Sequence, residues 1–142
     1  MQKITPFLWF DGQAEEAMKF YASIFKNSKA ANGPNATFEL DGVEFIAFDG
    51  GPHFKFNEAI SLYVDCKSQE EVDYFWDKLG AGGAHSQCGW LKDKFGVSWQ
   101  VVPDALPRLL KDPDRAKANR AMQAMMKMKK IVIADIEAAA KG

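Results

Sequence analysis

The chain has 142 residues, 47% hydrophobic and 26% charged, with a formal net charge of −1; that suits one ordinary globular domain with a real core. It lacks the basic excess a dedicated nucleic-acid binder uses to neutralise phosphates. No apolar run approaches the roughly 20 residues needed to span a bilayer, so neither nucleic acid nor membrane is expected as a partner.

The opening "MQKITPFLWF" goes straight into a strand pattern without the layout of a secretory leader, which points to a cytoplasmic protein. An amphipathic helix follows, with Ala14, Ala17, Met18, Tyr21 and Phe25 at helical spacing. "NSKAAN" (27–32) reads as a short, weakly written strand. "NATFELDGVEFIAFDGG" (35–51) carries Asp41-Gly42 between two strand-like runs, a strong hairpin signal. After the linker "GGPHFKFNE" (50–58), a second strand, "ISLYVDC", leads to Ser68-x-x-Glu71. That spacing predicts a capping box on a helix buried through Val72, Phe75, Trp76 and Leu79. "GGAHSQ" (82–87) reads as another short strand, and "CGWLKDKFGVSWQVVPD" (88–104) as a hairpin turning around Asp93–Gly96.

Beyond Pro103 the pattern is all-helical. "DALPRLLKD" predicts a short helix. Asp112-Pro113 reads as an N-cap followed by a first-turn proline, opening a helix through about Lys129. "ADIEAAAK" closes the chain. Met122, Met125, Met126 and Met128 decorate the middle helix and read as packing filler or adaptable contact surface rather than a cofactor box. Cys66 and Cys88 fit no CxxC spacing and are expected as free thiols in or near the core.

The chain is duplicated. Asp11 matches Asp65, and Gly42 matches Gly96, both 54 residues apart, while Glu15-Glu16 match Glu70-Glu71 at 55. The reading is therefore an α+β fold of two βαβββ modules in a single domain over 1–142. Module one runs from about 1 to 49, the linker spans 50–58, module two covers about 59–103, and a helical tail fills 104–142.

Paired modules of this kind resemble the vicinal-oxygen-chelate superfamily, which includes glyoxalase I, extradiol dioxygenases and the bleomycin- and fosfomycin-resistance proteins. Within it the chain is similar to the PhnB-like family, often labelled 3-demethylubiquinone methyltransferase-like. The matching residues are "ITPFLWFDGQAEEAMKFY" (4–21), "GGPHFKFNEAIS" (50–61), "CGWLKDKFGVSWQVVP" (88–103) and "DPDRAKANRAMQAMMKMKKI" (112–131). Residues 27–35 depart from it, being shorter than in related proteins, so no binding role is carried over to that loop.

The resemblance implies that the modules curl into a cup-shaped mixed sheet, glyoxalase/bleomycin resistance-like, and that the protein is a homodimer. It also implies metal-ligand slots on the first and last strand of each module, which fall here on Thr5, Ile46, Ala59 and Gln100. One hydroxyl, one amide and two hydrocarbons do not make a divalent-cation site. No metal and no cofactor are expected, and His53 and His85 read as loop residues.

Strand alternation then sorts the faces. If Gln100 points into the cup, so do Ser98 and Val102, and by repeat Glu44, Ile46 and Phe48, Thr5, Phe7 and Trp9, and Ala59, Ser61 and Tyr63. The opposite sets (Ile4, Leu8, Phe10; Ile60, Leu62, Val64; Val43, Phe45, Ala47) are purely apolar and are expected against the helices. The cup-facing sets suit a small, partly aromatic or hydrophobic ligand, with Phe7, Trp9, Glu44, Ser61, Tyr63, Trp90 and Gln100 as binding candidates. Lys92 lies on the same strand as Trp90. Those aromatics equally suit plain core, and Gln100 equally suits pairing with Ser98 or backbone. Glu44 is the one ionisable inward candidate: a general base in an aromatic setting, or a carboxylate at a wet strand end.

The leading expectation is a non-metal small-molecule-binding protein. The alternatives are a PhnB-like enzyme (metal-assisted isomerase, lyase or dioxygenase type, or a methyltransferase) and a purely structural dimer. "FDGQAEE" has a single glycine and "GAGG" (80–83) follows a helix. Neither is the glycine-rich first turn of a doubly wound S-adenosylmethionine fold.

Overall fold

The computed structural model describes residues 2–142, and the chain divides into two units, Met1–Asn57 and Glu58–Gly142. In the first unit β1 (Phe7–Phe10), α1 (Ala14–Ile24), β2 (Asn35–Leu40) and β3 (Val43–Asp49) form a helix on a three-stranded sheet of order β1-β3-β2. β1 runs parallel to β3 and β2 antiparallel to it. Asp41 (φ +48°) and Gly42 (φ +79°) make the two-residue turn between β2 and β3, since both central residues of such a turn need positive φ. Gln13 offers α1 no side-chain cap. The Asp49 carboxylate at the end of β3 accepts from Ala14 N instead, at 2.9 Å.

The buried stripe of α1 is Ala14, Ala17, Met18, Tyr21 and Ile24. Phe25, expected to complete the stripe, is the half-buried C-cap residue because the helix ends at Ile24. Tyr21 stacks on Phe38 at 6.2 Å and Phe38 on Phe45 at 5.3 Å. "NSKAAN" contributes a single bridge, Lys29 to Glu39, rather than a full strand. Its small and polar side chains give a strand little to pack.

The second unit holds β4 (Leu62–Cys66), α2 (Gln69–Gly80), β5 (Ala84–His85), β6 (Trp90–Lys92) and β7 (Ser98–Pro103), with strand order β4-β7-β6-β5. β4 pairs parallel with β7 and the other pairs are antiparallel. Ser68 Oγ accepts from Glu71 N at 3.2 Å as the capping box requires, but Glu71 Oε1 reaches back to Lys67 N at 2.8 Å, one residue beyond the N-cap. Val72, Trp76 and Leu79 are buried where α2 packs on the sheet, as are Val64, Leu91, Trp99 and Val101 on the strands beneath.

The turn from β6 to β7 is built around Asp93, only 3% exposed. Its Oδ1 accepts from Phe95 N at 2.8 Å and Val97 N at 3.1 Å, and its Oδ2 from the Trp99 indole at 2.9 Å.

Three helices follow: α3 (Ala105–Leu110), α4 (Arg115–Met126) and α5 (Ile133–Lys141). The expected cap at Asp112 is displaced. Asp112 accepts from Asp114 N at 2.8 Å, and Asp114 is the N-cap, accepting from Ala116 N and Lys117 N at 3.1 and 3.4 Å. The helix therefore starts two residues after Pro113 and stops at Met126, short of Lys129. Leu106, Ile131 and Ile136 bury Val102 in a second core, with Met125 and Met128 packed against it. Val102 is thus covered by the tail rather than left in a ligand cup. Met122 and Met126 stay exposed.

The expected helix-facing set is also trimmed. Ile4 and Ile60 are 86% and 73% exposed, because β1 begins only at Phe7 and β4 only at Leu62. Val43, at the start of β3, is 44% exposed. Among the described residues no helix is long and apolar enough to cross a membrane.

Two substitutions test this frame by urea unfolding. Gly89 has φ +82°, and a Cβ there meets Val101 O at 2.8 Å and Ile131 Cδ1 at 2.9 Å. Gly89→Ala is expected to cost about 2 kcal/mol or more, against about 1 kcal/mol for Gly12→Ala, where φ is +76° but nothing lies within 4 Å. Asp93→Ala removes the acceptor for the buried Trp99 indole and Val97 N–H and is expected to cost about 3 kcal/mol.

Candidate functional site

One face of the four-stranded sheet carries three of the expected candidates, Tyr63, Trp90 and Gln100. Register puts Tyr63 of β4 and Trp90 of β6 on either side of Gln100 of β7, and Lys92 opposite Ser98 in the next row. Gln100 finds its partner in Ser61, donating from Nε2 to Oγ at 3.0 Å, rather than in Ser98. Tyr63 is half exposed, and burial, followed by the charges of Asp65 and Cys66, raises its phenol pKa. Ser98 is 1% exposed and its Oγ has no hydrogen-bond partner, an arrangement that native cores rarely tolerate without a reason.

Ser98 borders a cavity of about 670 Å³, which is also lined by Trp90, Lys92, Glu58, His85 and the 86–88 segment with Cys88. Lys92 Nζ lies 2.6 Å from Glu58 Oε1. This ammonium holds the exposed Glu58 carboxyl below its ordinary pKa. His85 sits on β5 rather than in a loop, stacked on Trp76 with ring centroids 4.4 Å apart. Its Nε2 lies 2.8 Å from Trp76 O, so that nitrogen is engaged by backbone. A Cβ at Gly80 would run into the same imidazole, which explains the glycine at the end of α2.

The cysteines differ. Cys66 is fully buried, and burial, then the charges of Glu71 and Asp65, pushes its thiol up to about 12. Cys88 is half-buried at the cavity wall.

In the first unit Phe7 and Trp9 share a face with Ile46 and Phe48. Phe48 contacts Phe7 at 5.3 Å and Trp9 at 5.1 Å, and Phe54 meets Trp9 edge-on at 5.0 Å. Trp9 also donates its indole N–H to Gly51 O at 2.9 Å, so it pins the segment after β3. Glu44 lies opposite Glu39, beyond the stretch of β3 paired with β1, in a small cavity of about 210 Å³ that includes Lys29 and Thr37. Gln2 clamps the Glu44 backbone, donating to its carbonyl at 2.9 Å and accepting from its N–H at 3.3 Å, while Glu44 Oε2 is shielded without a partner.

The structure thus brings Phe7 and Trp9 together in one unit. In the other it gathers Ser61, Tyr63, Trp90 and Gln100, and it sets Glu44 among charged neighbours. Glu58, His85 and Cys88 were not expected at a site. Their signal was no more than proximity to "GGAHSQ" and to the linker's end.

The slots that the superfamily would use for a metal do not fit one here. Ile46 and Ala59 carry no donor atom, Thr5 Oγ1 donates to Gln2 O at 3.3 Å, and Gln100 is engaged by Ser61. Among the described residues no group of three or more His, Cys, Asp or Glu side chains is placed to hold a metal ion.

A family model described as 3-demethylubiquinone-9 3-methyltransferase matches residues 2–102. The chain belongs to this family. A PhnB protein from Bacillus cereus is 42% identical, with a TM-score of 0.65, over 72% of this chain and 99% of that one. Protein PA1353 from Pseudomonas aeruginosa shares the fold at 20% identity, with a TM-score of 0.60, over 72% and 98% of the two chains. No curated protein matches. The fold is that of the PhnB-like, glyoxalase/bleomycin-resistance-like proteins, and α3–α5 lie beyond the family match.

Thiol chemistry checks the site's geometry. In folded protein at pH 7.5, N-ethylmaleimide is expected to label Cys88 alone, and Cys66 only after denaturation; mass spectrometry counts the adducts. The Cys66 shift has a pH consequence. An unfolded cysteine ionises near 8.5 while the folded thiol holds its proton towards about 12. Its contribution favours the native state below about pH 8.5 and is lost as pH rises from there. Cys66→Ala is therefore expected to lose less stability than the parent between pH 8 and 10.

Proposed function

We propose that this PhnB-like chain binds a small, partly aromatic molecule in the cavity of its second unit, without a bound metal. The supporting observation is the Ser98 hydroxyl, buried, unpartnered and bordering an approximately 670 Å³ cavity walled by Trp90. Ligand sites of roughly 300–1,000 Å³ that combine apolar walls with a few polar groups are the common kind. A buried hydroxyl without a partner costs free energy that a ligand's acceptor would recover. The row of Tyr63, Gln100 and Trp90, with Ser61 behind the amide, gives the same sheet face further aromatic and hydrogen-bonding surface.

N-phenyl-1-naphthylamine, a neutral dye that brightens in apolar surroundings, tests this. Saturable one-to-one binding is expected, with protection of Cys88 from maleimide. Dye at about 100 times its Kd should add about 2.7 kcal/mol of stability. Trp90→Ala should weaken binding about tenfold, while Trp90→Phe, which keeps a ring, should weaken it less. Absence of saturable binding, or binding indifferent to Trp90→Ala with Cys88 unprotected, overturns the reading.

A further inference from the structure

The polar end of this cavity is more specific than its walls. Lys92 and Ser98 are direct cross-strand partners on β6 and β7, so their side chains leave the sheet on the same face, side by side. Among the described lining residues Lys92 is the one lysine or arginine, and Ser98 adds a hydroxyl with nothing to donate to. A cation next to a free donor is a receptor for an oxyanion. The chain already supplies such an anion: Glu58 Oε1 sits 2.6 Å from Lys92 Nζ. Glu58 is largely exposed, with 62% of its side chain open to water, and it lies outside the strands, before β4. It can leave Lys92 for solvent without disturbing the sheet, and an exposed pair of this kind contributes little to folding. Two residues from Lys92 on the same strand face stands Trp90, about 7 Å away at strand spacing. That separation matches a ring carrying an acidic group.

We propose that the ligand is an aromatic acid whose carboxylate or sulfonate binds Lys92 and Ser98, and that Glu58 occupies that anion position until the ligand displaces it. The proposal rests on the cavity reading above and adds the charge of the ligand and an internal competitor. The pair 8-anilinonaphthalene-1-sulfonate and N-phenyl-1-naphthylamine separates the two, because the dyes share one aromatic body and differ by the sulfonate.

At low salt the sulfonate dye is expected to bind about tenfold tighter than the neutral one. Lys92→Gln should erase that preference while leaving the neutral dye within about twofold, and Lys92→Arg should retain it. Glu58→Gln should strengthen the sulfonate dye about threefold or more and leave the neutral dye unchanged. The Lys92 and Glu58 side chains are 44% and 62% exposed, so neither variant threatens the fold. If the neutral dye binds but the sulfonate dye gains nothing, or its preference survives Lys92→Gln, the anion position is overturned and the cavity reading stands. If neither dye binds saturably, both are overturned.

Discussion

The buried carboxylate of Asp93 fixes the part of the molecule on which the site depends. By holding Phe95 N, Val97 N and the Trp99 indole at once, it sets how many residues lie in the turn between β6 and β7. Turn length sets register, and in a sheet a slip of one residue sends every side chain to the other face. The observed register puts Trp90 beside Gln100 and Lys92 beside Ser98 on the open face, and Leu91 beside Trp99 on the face buried under α2. Slipped by one, the strand would turn Lys92 towards the helix and take it from beside Ser98. The Trp99 indole is itself part of the buried face, so the side chain that the register must bury also reports to the group that sets it.

The two modules reach the same layout by different local means. Module one turns its hairpin with Asp41-Gly42, where both residues take positive φ and Asp41 N donates to Ser28 Oγ at 3.1 Å. Module two spends more residues and uses a side-chain carboxylate instead. Their helices begin differently as well: α1 borrows the Asp49 carboxylate from β3, and α2 uses its own Ser68. In each module the strand after the helix is the weakest, one bridge at Lys29 in the first and the two-residue β5 in the second. In the second unit β5 and the 86–88 segment that follows it form one wall of the large cavity, and in the first Lys29 borders the small cavity at Glu44.

The sequence made the framework legible because it is written in periodic signals. The stripe on α1, the cap at Ser68, the Asp41-Gly42 turn and the 54-residue offset each follow from local chemistry, and the fold class followed from them. Face alternation grouped Ser98 with Gln100, and the register keeps them on one face. It failed where strands were shorter than the pattern, at Ile4, Val43 and Ile60, and where a distant segment covered a face, at Val102. The polar end of the cavity was less legible. Lys92 pairing with Glu58 depends on contact between residues 34 apart, and an unpartnered hydroxyl on Ser98 is a matter of what does not pack beside it. The sequence pattern places the cap two residues early, at Asp112, because Asp114 satisfies the same rule and is the one the helix uses.

The tail joins this logic although it lies beyond the family match. Gln69 donates to Ile131 O at 3.1 Å and accepts from Ile133 N at 2.7 Å, and Lys130 pairs with Asp73 at 3.0 Å. These bonds tie residues 130–133 to the first turns of α2. The adjoining carbonyls of Met128 and Lys129 accept from Cys88 N and Gly89 N, each at 2.8 Å. Gly89 has no Cβ because Val101 O and Ile131 occupy that space. The segment carrying Cys88 to the cavity wall is therefore held from two sides, by the tail carbonyls and by β7, where Val101 N donates to Gly89 O at 2.8 Å. Its position is set by the same residues that bury Val102, so the tail limits how far the open face of β7 extends, leaving Ser98 and Gln100 beyond its cover.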